Sequence, residues 1–138
     1  MTELTLSQAQ HIVASAVDEA ARIGQPVNIA VVDGGGNLVT HVRQDGAWIG
    51  SIEISIDKAW TARAFDLPTS ELASNAQPGG QFHGIQVTNG GRVTAFAGGV
   101  PLRIDGVVVG AVGVSGGSGE QDQAIALAAA DSLEARIS

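Results

Sequence analysis

Apolar residues recur at helical spacing through Leu6, Ala9, Val13, Ala16, Val17, Ala20 and Ile23, which predicts a first helix capped by Thr5 or Ser7. Gly24 supplies a left-handed stop and Pro26 prevents continuation. His11, Ser15, Asp18 and Arg22 lie at i, i+4, i+7 and i+11 on the opposite face, which therefore meets solvent or another subunit. Two strand-like runs follow, residues 27–32 and 38–43, joined by Asp33-Gly34-Gly35-Gly36-Asn37 as a hairpin with a Gly-rich turn. A second hairpin pairs residues 102–104 with 107–114 across Asp105-Gly106, residues suited to the positive φ angles of a type I′ turn. Asn89-Gly90-Gly91 marks a further turn before a strand at residues 92–97.

Residues 51–65 fit two patterns. Ser-Ile-Glu-Ile-Ser-Ile alternates like a strand, yet Ile49, Ile52, Ile56 and Ala59 fit one helical face, and the stretch from Ala59 to Ala64 favours a helix. A short helix capped by Thr69 follows Pro68, and the sequence 77–81, Gln-Pro-Gly-Gly-Gln, predicts a mobile loop. Ser118-Gly119-Glu120-Gln121 has the form of a capping box, opening an Ala-rich helix that runs to about Arg136. The order α-β-β-α-α-β-β-β-α, with strands joined by hairpins, predicts an α+β fold: about five antiparallel strands with helices packed on them.

Composition narrows the partners. The chain has 138 residues, 44% of them hydrophobic and only 15% charged, which argues for one folded domain over residues 1–138 and against disorder. Seven Lys and Arg against 14 Asp and Glu give a net charge of −7, with no basic stripe for nucleic acid. The absence of cysteine excludes disulfides, thiolate metal sites and a Cys nucleophile. No apolar run approaches the ~20 residues of a membrane span, and no signal segment is evident, so a cytoplasmic protein is expected.

Several residues invite chemistry. Gly113-Val114-Ser115-Gly116-Gly117 matches a G-x-S-x-G elbow, but the chain is too short and too hairpin-rich for the parallel sheet that motif needs. The same turn can instead hold a carboxylate or phosphate through backbone N–H groups and the Ser115 and Ser118 hydroxyls. Lys58, the single lysine, has a stem expected to pack against its neighbours. It serves either as a base or Schiff-base amine of lowered pKa, or as a structural cation paired with Asp45 or Asp57. His11, His41 and His83 lack the spacing of a zinc site, so no metal centre is expected, but one imidazole suffices for a haem or corrinoid. His83, beside Phe82 after the Gly-rich loop, draws most interest. Arg43, entering the loop with Asp45, is either a carboxylate clamp or half of a surface ion pair.

Five segments together carry a family resemblance. They are Arg43-Gln44-Asp45-Gly46-Ala47, Lys58-Ala59-x-Thr61-Ala62, Phe65-x-x-Pro68-Thr69, Gly98-Gly99-Val100-Pro101-Leu102, and residues 110–117 with Gln121-Asp122. In this order the chain resembles the GlcG/HbpS family, often labelled haem-degrading, and the C-terminal domain of PduO-type proteins. Gln44 stands where that pattern would have Met. The resemblance implies a profilin-like α+β fold and homo-oligomers, for which the His11 face would suit an interface. It also implies haem or corrinoid binding in some members and an association with catabolism in others.

Two readings of function and one duller possibility follow. In the first, the chain is a tetrapyrrole-binding or sensing module with His11 or His83 as axial ligand, although 4% aromatic residues argue against a deep haem pocket. In the second, it is a small metal-independent enzyme acting on an organic acid. Arg43 and the backbones of Gly98, Gly99, Ser115 and Gly116 would bind the anion, and Lys58 or His83 would move a proton. The third is a non-catalytic oligomeric accessory protein. In each case the ligand expected is a small molecule, anionic in character.

Overall fold

A computed structural model describes residues 3–137. Helix α1 (Leu6–Ile23) starts in a complete capping box: the Thr5 hydroxyl accepts from the Gln8 amide at 3.1 Å, and the Gln8 side chain accepts from the Thr5 amide at 2.9 Å. Gly24, at φ +74°, ends it, as the sequence predicts. Strands β1 (Asn28–Asp33) and β2 (Leu38–Arg43) form the first hairpin, whose turn is closed by the Asp33 carboxylate accepting from the Gly35 and Asn37 amides. Strands β3 (Gly99–Ile104) and β4 (Val107–Ser115) form the second, with both Asp105 and Gly106 at positive φ. The sheet order is β2-β1-β4-β3, antiparallel throughout.

The described residues contain four strands rather than five. Residues 92–97 do not join the sheet; they cross α2 (Gly50–Phe65) instead. There the Thr61 hydroxyl donates to the Arg92 carbonyl at 3.3 Å and accepts from the Thr94 amide at 3.0 Å, so this backbone is satisfied by a helix side chain. Thr69 likewise departs from its expected role. Pro68 occupies the cap position of α3 (Thr69–Asn75), and the buried Thr69 hydroxyl accepts from the Gly99 amide at 2.9 Å, fastening α3 to the sheet. Residues 77–81 form a hydrogen-bonded turn, with the Gly80 amide on the Gln77 carbonyl at 2.7 Å.

Period-two alternation divides the sheet between two layers. Ile29, Val31, Val112 and Val114 meet α1 and the last helix, α4 (Gly119–Ile137), in a core with Ile12, Ala16, Ile125 and Leu133. Ala30, Val32 and Ala111 meet Ala59 and Ala62 of α2 on the other face. These small side chains let α2 lie almost on the strands: a Cβ at Gly113 would stand 2.0 Å from the Ser55 carbonyl oxygen. Among the described residues the buried core contains no aromatic side chain; Trp48, Phe65, Phe82 and Phe96 are exposed instead.

Candidate functional site

The register places Asn28 opposite both Arg43 and Ser115, so the C-terminal ends of β2 and β4 flank the start of β1. Gly99 pairs with Gly113 at the same end of the sheet. The sequence candidates Arg43, Ser115, Gly116, Gly98 and Gly99 are therefore gathered there, with Asp45 in the loop that follows β2. Two clefts open here, sharing Gln25 and Pro26. One, of about 560 Å³, is lined by Arg43, Gln44 and Asp45, and the other, of about 390 Å³, by Trp48 and the Gly116–Ser118 turn.

Lys58 lies beneath this end of the sheet, 1% exposed. Its ammonium donates to the Val114 carbonyl at 2.8 Å and to Asp122 Oδ2 at 3.1 Å, and the Phe96 ring centroid is 4.9 Å away. The partner is thus neither Asp45 nor Asp57 but a carboxylate 64 positions later, in the first turn of α4. Burial pulls the Lys58 pKa below its ordinary value, opposed by the Asp122 charge and hydrogen bond. The other Asp122 oxygen accepts from the Gly117 amide at 2.9 Å, so one side chain ties α2 and the turn after β4 to the start of α4.

This arrangement reassigns the glycines. Gly98, at φ +127°, would set a Cβ 2.7 Å from the Lys58 nitrogen, and a Cβ on Gly99 would stand 2.4 Å from the Lys58 carbonyl. Their amides donate to Gln123 at 3.1 Å and to Thr69 at 2.9 Å. Bare backbone here makes room for the lysine. The α4 start is also engaged internally: the Ser118 amide donates to Gln121 Oε1 and the Gln121 amide to the Ser118 hydroxyl, completing the expected capping box. Ser115 is buried. Sequence reasoning missed Asp122 as the lysine's partner, because it reads equally well as a favourable charge at a helix N-terminus.

The histidines do not converge. His11 is exposed on α1, and His83 is exposed in the segment after α3. His41 is half-buried in edge strand β2, facing the same side of the sheet as Ala30, and its Nε2 has no hydrogen-bond partner. Burial lowers its pKa below the ordinary 6.5. As pH falls through that value, the unfolded chain takes up a proton before the folded chain does, so stability falls below about pH 6.5 and is insensitive to this group above it. In urea unfolding between about pH 7 and pH 5, the His41→Asn variant should lose less stability than the wild type. Among the described residues there is no cluster of three His, Asp or Glu able to hold a metal, and no helix is long and apolar enough to cross a membrane.

A single antiparallel sheet held between a helix pair and one closely docked helix defines a small α+β domain, with two of its clefts at the sheet end that carries Arg43 and Ser115. The chain belongs to the haem degrading protein HbpS-like family, whose model matches residues 4–131. It is 41% identical, over 93% of its length, to a 15.0 kDa protein of the dhaT-dhaS intergenic region of Citrobacter freundii, and covers 90% of that protein. It is 37% identical to protein GlcG of Escherichia coli K12, covering 83% of this chain and 84% of GlcG. The corrinoid adenosyltransferase PduO of Citrobacter freundii is 36% identical over 96% of this chain, which spans 40% of that longer enzyme. Among solved structures, Klebsiella pneumoniae ORFY aligns with a TM-score of 0.94 at 41% identity, over 98% of this chain and 94% of that one. A structure described as a PduOC:haem complex aligns with a TM-score of 0.90 at 35% identity, over 95% of each chain.

Proposed function

We propose that this protein is a tetrapyrrole-binding module of the HbpS type, taking haem, or a corrinoid, through an exposed imidazole, and that it acts as a cytoplasmic homo-oligomer. The observation that carries this reading is the PduOC likeness, which extends over 95% of both chains. The donor set fits: an axial position on haem iron needs one protein nitrogen, and His11 and His83 are both solvent-exposed. His83 is flanked by exposed Phe82 and lies four residues before Val87, which is 80% exposed. His41 is a poor donor, since its free nitrogen is buried.

The core is aliphatic and tightly filled, and the clefts at the sheet end are edged by Gln, Ser, Asp and Arg side chains. A macrocycle would therefore lie against the surface or between copies rather than inside one chain. Bound haem would supply a redox-active iron; His11 or His83 would hold it, and exposed apolar side chains would shield one ring face from water. Titrating the purified protein with haem should give a saturable, shifted Soret band at a fixed ratio of haem to chain. A spectrum that stays that of free haem throughout would refute the proposal.

A further inference from the structure

Among the cations whose side chains are described, Arg43 is the one that the fold leaves open. Among the described residues Arg22 pairs with Glu19, Lys58 with Asp122, Arg63 with Asp66 and Arg92 with Asp57, while Arg103 donates to the Gly106 carbonyl. Arg43 makes no such contact, in a chain where acidic residues outnumber basic ones 14 to 7. It is exposed at the rim of the 560 Å³ cleft, which it shares with Gln44, Asp45, Pro26, Ala20 and Ala21.

The base of that cleft is rigid. Gln44 is bound twice to Val27: its amide donates to the Val27 carbonyl at 3.1 Å, and its side-chain oxygen accepts from the Val27 amide at 2.9 Å. The Ala47 amide then closes on the Gln44 carbonyl at 3.0 Å, so Arg43 and Asp45 project from a fixed frame. The last turn of α1 forms the opposite wall. A helix C-terminus repels anions through its free carbonyls, but those of Ala20 and Ala21 already accept from the Gln25 and Gly24 amides.

The geometry points to a binding site for a small carboxylic acid that carries a hydroxyl or amino group beside its carboxylate. The carboxylate meets the Arg43 guanidinium, whose planar fork matches its two oxygens. The neighbouring donor meets the Asp45 carboxylate, and the short carbon body rests on Ala20, Ala21 and Pro26. This site is separate from the exposed histidines and does not depend on haem.

Amide NMR spectra of the haem-free protein, titrated separately with lactate, alanine and propionate, test it. Lactate or alanine should produce saturable shifts confined to residues such as Gly24, Gln25, Gln44 and Gly46, and whichever binds tells a hydroxy acid from an amino acid. Propionate should bind more weakly. Arg43→Gln should weaken binding roughly tenfold or more, the worth of a charge-assisted pair, and Asp45→Asn should abolish the preference over propionate. Both side chains are exposed, and unchanged shifts elsewhere will report an intact fold. Absence of saturable shifts in the cleft with all three acids, equal binding of propionate, or an undiminished response in Arg43→Gln would each overturn the assignment.

Discussion

Asp122→Ala should lower the unfolding free energy by about 3–5 kcal/mol, the cost of stripping its partner from a buried charge. Lys58 is 1% exposed and Asp122 3%, so the truncation leaves a buried ammonium with the Val114 carbonyl as its remaining hydrogen-bond acceptor. The variant also removes the acceptor of the Gly117 amide, loosening the turn that starts α4. A control separates the charge from the packing. Lys58→Met combined with Asp122→Leu removes both ions, and such exchanges are often neutral or stabilising, so the double variant should be more stable than Asp122→Ala alone. Urea unfolding with matched slopes measures both; a loss below about 1 kcal/mol for Asp122→Ala would mean that the pair is hydrated in solution.

Gly113→Val should be comparably damaging for a different reason. A Cβ there would lie 2.0 Å from the Ser55 carbonyl oxygen and 2.6 Å from the Ala59 amide nitrogen. Both are backbone atoms of α2, so no side-chain rotation relieves the clash and the helix itself must move off the sheet. The expected loss is about 3 kcal/mol, the upper end for overpacking, with the thermal midpoint falling accordingly. Gly50→Ala, at the exposed first position of α2 with nothing within 4 Å of a new Cβ, should leave stability unchanged or slightly improved.

The same close packing explains what the sequence concealed. Helix α1, both hairpins and α4 are legible because their caps, turns and apolar spacing agree with their burial. Helix α2 is ambiguous because its buried face is Ser51, Ser55, Lys58, Ala59, Thr61 and Ala62, whereas Ile49 is 75% exposed. A helix seated on Gly113, Ala111 and Ala30 packs through small and polar residues, with Lys58 the one long side chain among them, so its buried face carries no stripe of large apolar residues. Residues 92–97 read as a strand because they follow the Asn89-Gly90-Gly91 turn signal, but they cover α2 rather than a neighbouring strand, with Val93 buried and the Thr94 amide on Thr61.

The candidate site was legible in part. The motifs around Arg43 and Gly116 do reach one end of the sheet, since β2 and β4 flank β1 and both finish beside Asn28. The role of Lys58 was not, because its partner is 64 residues away and long-range pairing leaves no local spacing. Gly98 and Gly99, attractive as ligand-facing backbone, turn out to accommodate that lysine.

The central claim is that an exposed imidazole on this chain holds a tetrapyrrole iron. Its most direct test is the visible and electron paramagnetic resonance spectrum of the ferric haem complex in the wild type and in a His11→Ala, His83→Ala double variant. The account predicts a histidine-ligated signature in the wild type that is lost in the double variant while its folded circular dichroism spectrum is kept. An identical histidine-ligated spectrum in both proteins would contradict it.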